Sequence, residues 1–146
     1  MSELSCSKRW SDIPFAHRQH EHDGHCSLIH GHNWDFEVRF VCNFVDKNGF
    51  VMDFGKLKPM KEFLDHFDHA LVLKDDDPFL YKLPDEVCRI VQVNDASSEG
   101  LAKYLFAEFS LMIDTRESFS NERYRGVEIA EVVVYEDSKN SARFKP

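Results

Sequence analysis

"HGHNWDFEVRF", residues 30–40, changes chemical character at every step. His30, His32, Trp34, Phe36, Val38 and Phe40 fall on one side of an extended chain, while Gly31, Asn33, Asp35, Glu37 and Arg39 fall on the other, because successive strand side chains point to opposite faces. The spacing predicts a β-strand with one apolar face. It also places two imidazoles at the head of that face.

Upstream, residues 5–17 (SCSKRWSDIPFAH) form another candidate strand, in which Pro14 cannot donate to a ladder and so implies an edge or a bulge. A polar, histidine-rich loop, residues 18–25, joins the two, and antiparallel pairing would return His17 alongside His30 and His32. Downstream, Asn48-Gly49 lies between Phe44-Val45 and Phe50-Val51-Met52, a pattern that favours a tight hairpin turn. Asp53 can then cap a helix carrying Leu57, Met60, Phe63, Leu64 and Phe67, with Pro59 in its first turn and its end near Asp68-His69. Residues 74–95 read as a long connection containing a short strand-like piece, residues 87–93. Leu101, Leu105, Phe109 and Met112 mark a second helix, capped by Ser97 or Asp95. A polar stretch, residues 115–126, leads to a β-branched strand at 127–135, a turn at 137–140 and a last strand at 142–145. The order predicts an α+β fold, an antiparallel sheet with two helices on one face, in a single domain over residues 1–146.

Composition narrows the partners. With 42% hydrophobic residues the chain can bury a real core. Its 26 acidic against 18 basic residues give a formal charge of −8, which argues against a nucleic-acid surface or an anionic membrane as partner. An anionic small molecule would need a local basic pocket. The opening MSELSCSKRW has no apolar core of signal-peptide length, and no later apolar run approaches the ~20 residues of a membrane span, so a cytoplasmic protein is expected. Cysteines at 6, 26, 42 and 88 form no CxxC pair, which favours reduced thiols over disulfides.

The chemistry concentrates around the two strand histidines. His30 and His32 share a face, and with His17 they would make a three-histidine site with an open position, the pattern of a catalytic rather than a structural zinc. Two polar residues at a strand end would be the plainer reading of an isolated HxH. Cys26, four residues before His30, would lie near such an ion, where a thiol loses its proton more easily and can act as a base; taken alone it is as readily an inert cysteine. Asp68-His69 can form a carboxylate-oriented proton shuttle or simply a solvated helix end. Glu136 shares a face with Ala130, Val132 and Val134, and its carboxylate suits a ligand presenting two parallel N–H groups, as an aminopyrimidinone does. His20, His22 and His25 are most simply explained by a solvated loop.

Together these pieces resemble the 6-pyruvoyl-tetrahydropterin synthase family, and more closely its bacterial branch, the 6-carboxy-tetrahydropterin synthases of queuosine precursor biosynthesis. The resemblance rests on IPFAHR (13–18), CSLIHGH (26–32), DFGKLK (53–58), DHALV (68–72), ASSE (96–99) and VVVYED (132–137), in order along nearly the whole chain. DFGKLK is the segment that favours the carboxy branch, since the pyruvoyl branch more often has an Asn-Leu pair there. Phe15 stands where the family has a small residue, and Ala96-Ser97 where it usually has Pro-Thr.

The resemblance implies Zn2+ held by His17, His30 and His32, Cys26 as catalytic base, Asp68 and His69 as its proton relay, and Glu136 as pterin anchor. Ser97 and Ser98 would line the pterin pocket of a neighbouring subunit. It implies 7,8-dihydroneopterin triphosphate as substrate, with 6-carboxy-5,6,7,8-tetrahydropterin, acetaldehyde and triphosphate as products. It also implies the tunnelling fold, in ββααββ order, whose sheets are joined into a barrel by homo-oligomerisation, commonly as a hexamer built from two trimers.

Overall fold

In the computed structural model, which describes residues 2–146, the alternating stretch forms strand β2 (His30–Val41) and the segment before it strand β1 (Ser5–His17). The two pair antiparallel from Ser5 opposite Val41 to His17 opposite His30. Trp34, Phe36, Val38 and Phe40 are completely buried on one face of β2, as the alternation predicts.

β1 contains a bulge that decides which of its residues reach that face. Trp10 pairs with Phe36 and Ile13 with Trp34, so Ser11 and Asp12 together stand opposite Asp35. One extra residue inverts the phase of a strand. Cys6 and Trp10 face the core before the bulge, and Ile13, Phe15 and His17 face it afterwards. Asp12 takes the left-handed φ of 62° that this geometry requires. Asp35 holds the bulge by accepting from the Asp12 amide at 3.0 Å and from Arg9 Nη2 at 2.9 Å, while Asn33 donates to Asp12 Oδ1 at 2.7 Å. Pro14 follows one residue later, on the side of β1 that β3 meets only at Ala16 and His17, so its missing N–H removes no ladder bond.

The remaining elements are α1 (Lys58–Leu64), β3 (Ala70–Lys74), β4 (Arg89–Val93), α2 (Ser98–Thr115), α3 (Ser120–Tyr124), β5 (Glu128–Tyr135) and β6 (Ser141–Phe144). They complete one six-stranded sheet of order β4-β3-β1-β2-β5-β6. The α+β class is as expected, with two differences. The sheet is mixed rather than antiparallel throughout, because β3 pairs parallel to β1 and β4 parallel to β3. Crossovers of the required length exist for both pairings, one through α1 and one through residues 75–88. In addition, β3 and β4 both lie between α1 and α2, and α3 follows α2, so the order is ββαββααββ rather than ββααββ; β4 falls on the strand-like piece at 87–93, whereas β3 and α3 were not expected.

Other boundaries shift for local reasons. The first helix ends at Leu64 instead of near Asp68-His69, and the chain passes through turns to His69, whose φ of 60° redirects it into β3. The His69 amide donates to the Pro14 carbonyl at 2.8 Å, which ties that turn to β1. Asp53 caps a single 3-10 turn at residues 54–56, not α1 itself, and α1 begins with Pro59 in its first turn. Asn48-Gly49 does form a turn, with Gly49 at φ 82°, but its flanks do not pair as strands.

α2 covers the apolar face of the sheet with Leu101, Leu105, Phe109 and Met112, the four positions its spacing predicted. At the histidine end Phe15 stacks on Trp34 at 4.4 Å between ring centroids, and Trp34 Nε1 donates to the Phe15 carbonyl at 3.1 Å. A buried indole with its N–H satisfied makes a rigid floor.

The bulge yields a stability prediction. Asp12→Val, a β-branched residue forced to positive φ, lowers unfolding free energy by roughly 1–3 kcal/mol in denaturant titration, while Asp12→Gly stays within about 1 kcal/mol of wild type. Equal stability of the two variants would count against a conformational role for Asp12.

Candidate metal centre and active-site cavity

The β1–β2 register places His17 opposite His30 and Phe15 opposite His32. Three imidazoles therefore meet on one face, with ring centroids 4.6 Å (His17–His30), 5.3 Å (His17–His32) and 4.9 Å (His30–His32) apart. Trp34 stands edge-on beneath His17 and His32.

Hydrogen bonds orient two of the rings. His17 Nδ1 lies 2.7 Å from the Ala96 carbonyl and His30 Nδ1 lies 2.6 Å from the Leu28 carbonyl. A carbonyl only accepts, so each Nδ1 must carry a proton, and Nε2 is the ring atom left to face a ligand. Burial, the dominant influence, holds the His17 imidazole below the usual histidine range, against the pull of the Ala96 carbonyl. Glu136, directly after β5, brings Oε1 to 3.3 Å from His17 Nε2 and 3.4 Å from His32 Nε2. Both nitrogens are buried without a hydrogen-bond partner. The donor atoms of His17, His30, His32 and Glu136 all lie within 4.8 Å of one another. Converging lone pairs and a carboxylate repel unless a cation lies among them, so this donor set fits a divalent metal, and nitrogen-rich donors suit zinc.

Beside the cluster opens a cavity of about 500 Å³ lined by His17, Gln19, Cys26, Ser97, Ser98, Glu99, Glu136, Lys139, Asn140 and Ser141. Cys26 reaches it from a 3-10 turn at His25–Ser27, with its thiol-bearing residue exposed. The Gln19 amide donates to the Cys26 carbonyl at 2.6 Å, pinning that turn to the end of β1. Ser97 is the α2 N-cap, its Oγ accepting from the Gly100 amide at 3.0 Å. Ser97 and Ser98 thus line the same chain's own cavity, where the resemblance had them lining a neighbour's.

Asp68 and His69 form the expected pair, His69 Nδ1 bonding Asp68 Oδ1. They do not line this cavity within one chain, and the His69 side chain is 84% exposed. His20 departs from a solvated-loop description, being largely buried beside Glu21, Asp76 and Asp77. His22 Nδ1 accepts from the Gly24 amide, a local turn contact.

The sequence did not single out Gln19 or Lys139. Gln19 has a buried amide nitrogen without a partner, and Lys139 is the one basic side chain among the cavity's described lining residues. Gln19 is two residues beyond His17, and strand parity carried past the end of β1 would have found it.

A scan against family models matches the 6-pyruvoyl tetrahydropterin synthase family over residues 6–146. The chain belongs to that family. Among curated relatives, the 6-carboxy-5,6,7,8-tetrahydropterin synthase of Rickettsia conorii is 38% identical over 76 residues, covering 51% of this chain and 54% of the relative. The chain thus spans about half the length of the curated relatives it matches. Among solved structures, an uncharacterized protein from Wolinella succinogenes superposes with a TM-score of 0.82 at 20% identity, covering 99% of each chain. The 6-pyruvoyl tetrahydropterin synthase of Plasmodium vivax gives 0.71 at 19% identity over 98% of each. These likenesses establish the tunnelling fold of the subunit.

Next to His17, Arg18 grips Asp77 with two hydrogen bonds of 2.7 Å, from Nε to Oδ2 and from Nη2 to Oδ1, and the Asp77 carboxylate is fully buried. The guanidinium holds the Asp77 carboxyl below the usual carboxylate range. A depressed folded-state pKa stabilises the fold above the unfolded value, about 4, and that contribution is lost as pH falls through the folded value. Asp77→Asn removes the buried counter-charge of the part-buried Arg18 guanidinium and costs roughly 3 kcal/mol at neutral pH. Thermal melts from pH 7 to pH 2 are expected to show wild type and variant converging at the acid end; a constant difference across that range would refute the linkage.

Proposed function

We propose that the protein is a zinc-dependent lyase that converts 7,8-dihydroneopterin triphosphate and one water to 6-carboxy-5,6,7,8-tetrahydropterin, acetaldehyde and triphosphate. Its setting in this reading is queuosine (7-deazapurine) precursor biosynthesis in the cytoplasm. Among the described residues, no helix is long and apolar enough to cross a membrane. The observation that carries the reading is the cluster of His17, His30, His32 and Glu136, two members of which, His17 and Glu136, also line with Cys26 a cavity of pterin-compatible size. The names of the curated relatives support the carboxy product.

In this reading His17, His30 and His32 hold zinc, which when bound supplies Lewis acidity to a side-chain hydroxyl of the substrate. Cys26 Sγ takes a proton from the substrate side chain and returns it during the rearrangement. Glu136 accepts two parallel N–H groups from the aminopyrimidinone edge, and Ser97 and Ser98 offer hydroxyls beside it. Asp68 orients His69, which relays protons for Cys26. Because this pair lies outside the chain's own cavity, the reading includes a homo-oligomer, a hexamer built from two trimers, in which an adjacent copy brings its Asp68-His69 to the site. Lys139 meets the triphosphate, the local cation that so acidic a chain requires.

Incubation of the zinc-loaded protein with dihydroneopterin triphosphate is expected to yield 6-carboxytetrahydropterin and acetaldehyde by mass analysis. A 6-pyruvoyl product without acetaldehyde would transfer the assignment to the pyruvoyl reaction. Cys26→Ala lowers kcat by about 10²–10⁴-fold with metal content unchanged, and a wild-type kcat in that variant would remove the thiol from the mechanism.

Lys139→Ala raises KM for the triphosphate roughly tenfold, equivalent to about 1.4 kcal/mol, and leaves KM for unphosphorylated dihydroneopterin unaltered. Equal effects on both substrates would argue against a triphosphate contact.

A further inference from the structure

Glu136 makes two contacts that pterin anchoring does not explain. Its Oε1 lies 3.3 Å from His17 Nε2 and 3.4 Å from His32 Nε2, and neither contact is a hydrogen bond. His17 commits Nδ1 to the Ala96 carbonyl, which leaves Nε2, buried and without a hydrogen-bond partner, facing the carboxylate. In a tetrahedral zinc site with bonds of about 2.0–2.2 Å, neighbouring donor atoms stand roughly 3.3–3.5 Å apart. The two observed separations, 3.3 and 3.4 Å, match the edge length such a site would have.

The backbone delivers this carboxylate on a fixed support. The Glu136 amide donates to the Asn140 carbonyl at 3.0 Å. Asp137 Oδ1 accepts from the amides of Lys139 and Asn140 at 2.8 and 2.7 Å, which locks the turn. The Glu136 side chain nonetheless remains about a quarter exposed and also lines the cavity, so it can swing between the histidines and a bound ligand.

We infer that Glu136 is a fourth, exchangeable donor to the metal: in the resting protein it occupies the position a substrate hydroxyl needs, and it leaves the ion when the N–H pair of a pterin ring recruits its carboxylate. This rests on the proposed zinc-lyase reading and adds a coupling to it. Ring recognition and the opening of the coordination position become one event, so the ion is exposed to a ligand oxygen only when the correct ring has docked. The linkage is reciprocal, and a pterin that draws Glu136 away without supplying an oxygen weakens metal binding by the factor by which metal weakens that pterin.

The test uses the full-length protein with cobalt(II) as a spectroscopic substitute, zinc affinity by chelator competition, and 6-methylpterin, which presents the ring edge without a side-chain hydroxyl. In the expected result Glu136→Gln shifts the visible cobalt bands and lowers zinc affinity about tenfold or more. Glu136→Asp, which keeps a carboxylate, falls between that variant and wild type. Saturating 6-methylpterin moves the wild-type spectrum towards that of Glu136→Gln and leaves the variant's spectrum unchanged. Circular dichroism of the metal-free proteins confirms folding, and His17→Ala serves as the control that loses metal altogether. Wild-type spectra and affinity in both Glu136 variants would overturn the inference while leaving the three-histidine centre intact, as would a wild-type spectrum indifferent to bound 6-methylpterin. Failure of wild type to bind either metal would instead overturn the zinc reading itself.

Discussion

His17 faces His30 across the β1–β2 ladder, and a slip of one residue in that pairing would turn every side chain of β1 to the opposite face. Two sets of interactions hold the register. On the core face, Trp34, Phe36, Val38 and Phe40 are removed from water, each such burial worth roughly 1.5–3 kcal/mol. On the solvent face, the largely exposed Arg9–Asp35 pair is worth no more than about 1 kcal/mol. The apolar face therefore sets the pairing, and the polar network around Asp35 localises the bulge at Ser11-Asp12. Without the bulge, a β1 that kept Trp10 inside would point His17 outwards.

Helix α2 then completes what the strands begin. Ala96, just before its N-cap, supplies the carbonyl that fixes the His17 ring, and Ser97 caps the helix while lining the cavity. Glycine in a first helical turn costs stability, yet Gly100 is required. A Cβ there would lie 2.4 Å from the Asp95 side chain, whose Oδ1 accepts from the Ser97 amide. The docking of one helix end thereby couples ring orientation at the metal cluster to the placement of the two serines.

The parts of the fold written as period two or as threes and fours were legible: β2, α2, β5 and the shared face of His30 and His32. What escaped lacked such a signal. Ala70–Lys74 is buried on both faces, so its sequence, ALVLK, shows no alternation and does not differ from the tail of the helix before it. The phase change at Trp10 and Ile13 breaks a period-two pattern at the point where a bulge belongs, and Pro14 drew attention to the right place without fixing the residue. The grouping of His17 with His30 and His32 followed from antiparallel pairing, but the approach of Glu136 to them did not. Strand parity brings Glu136 to the mouth of the cavity, whereas only the turn at residues 136–140 decides that its carboxylate meets two imidazoles.

The support given to each group matches the precision its chemistry demands. Metal ligation demands placement to within about half an ångström, and the proposed donors His17, His30 and His32 sit on paired strands over a rigid indole floor. Proton transfer tolerates longer and less aligned contacts that tighten only in the complex, and Cys26 stands on a single 3-10 turn tethered by one backbone bond. Asp68 and His69 lie at a left-handed turn with the imidazole directed into solvent. A carboxylate-oriented imidazole that meets no substrate cavity of its own chain can do chemistry only on something brought to it. Outward placement of that pair is what the proposed division of the site between two copies of the chain requires.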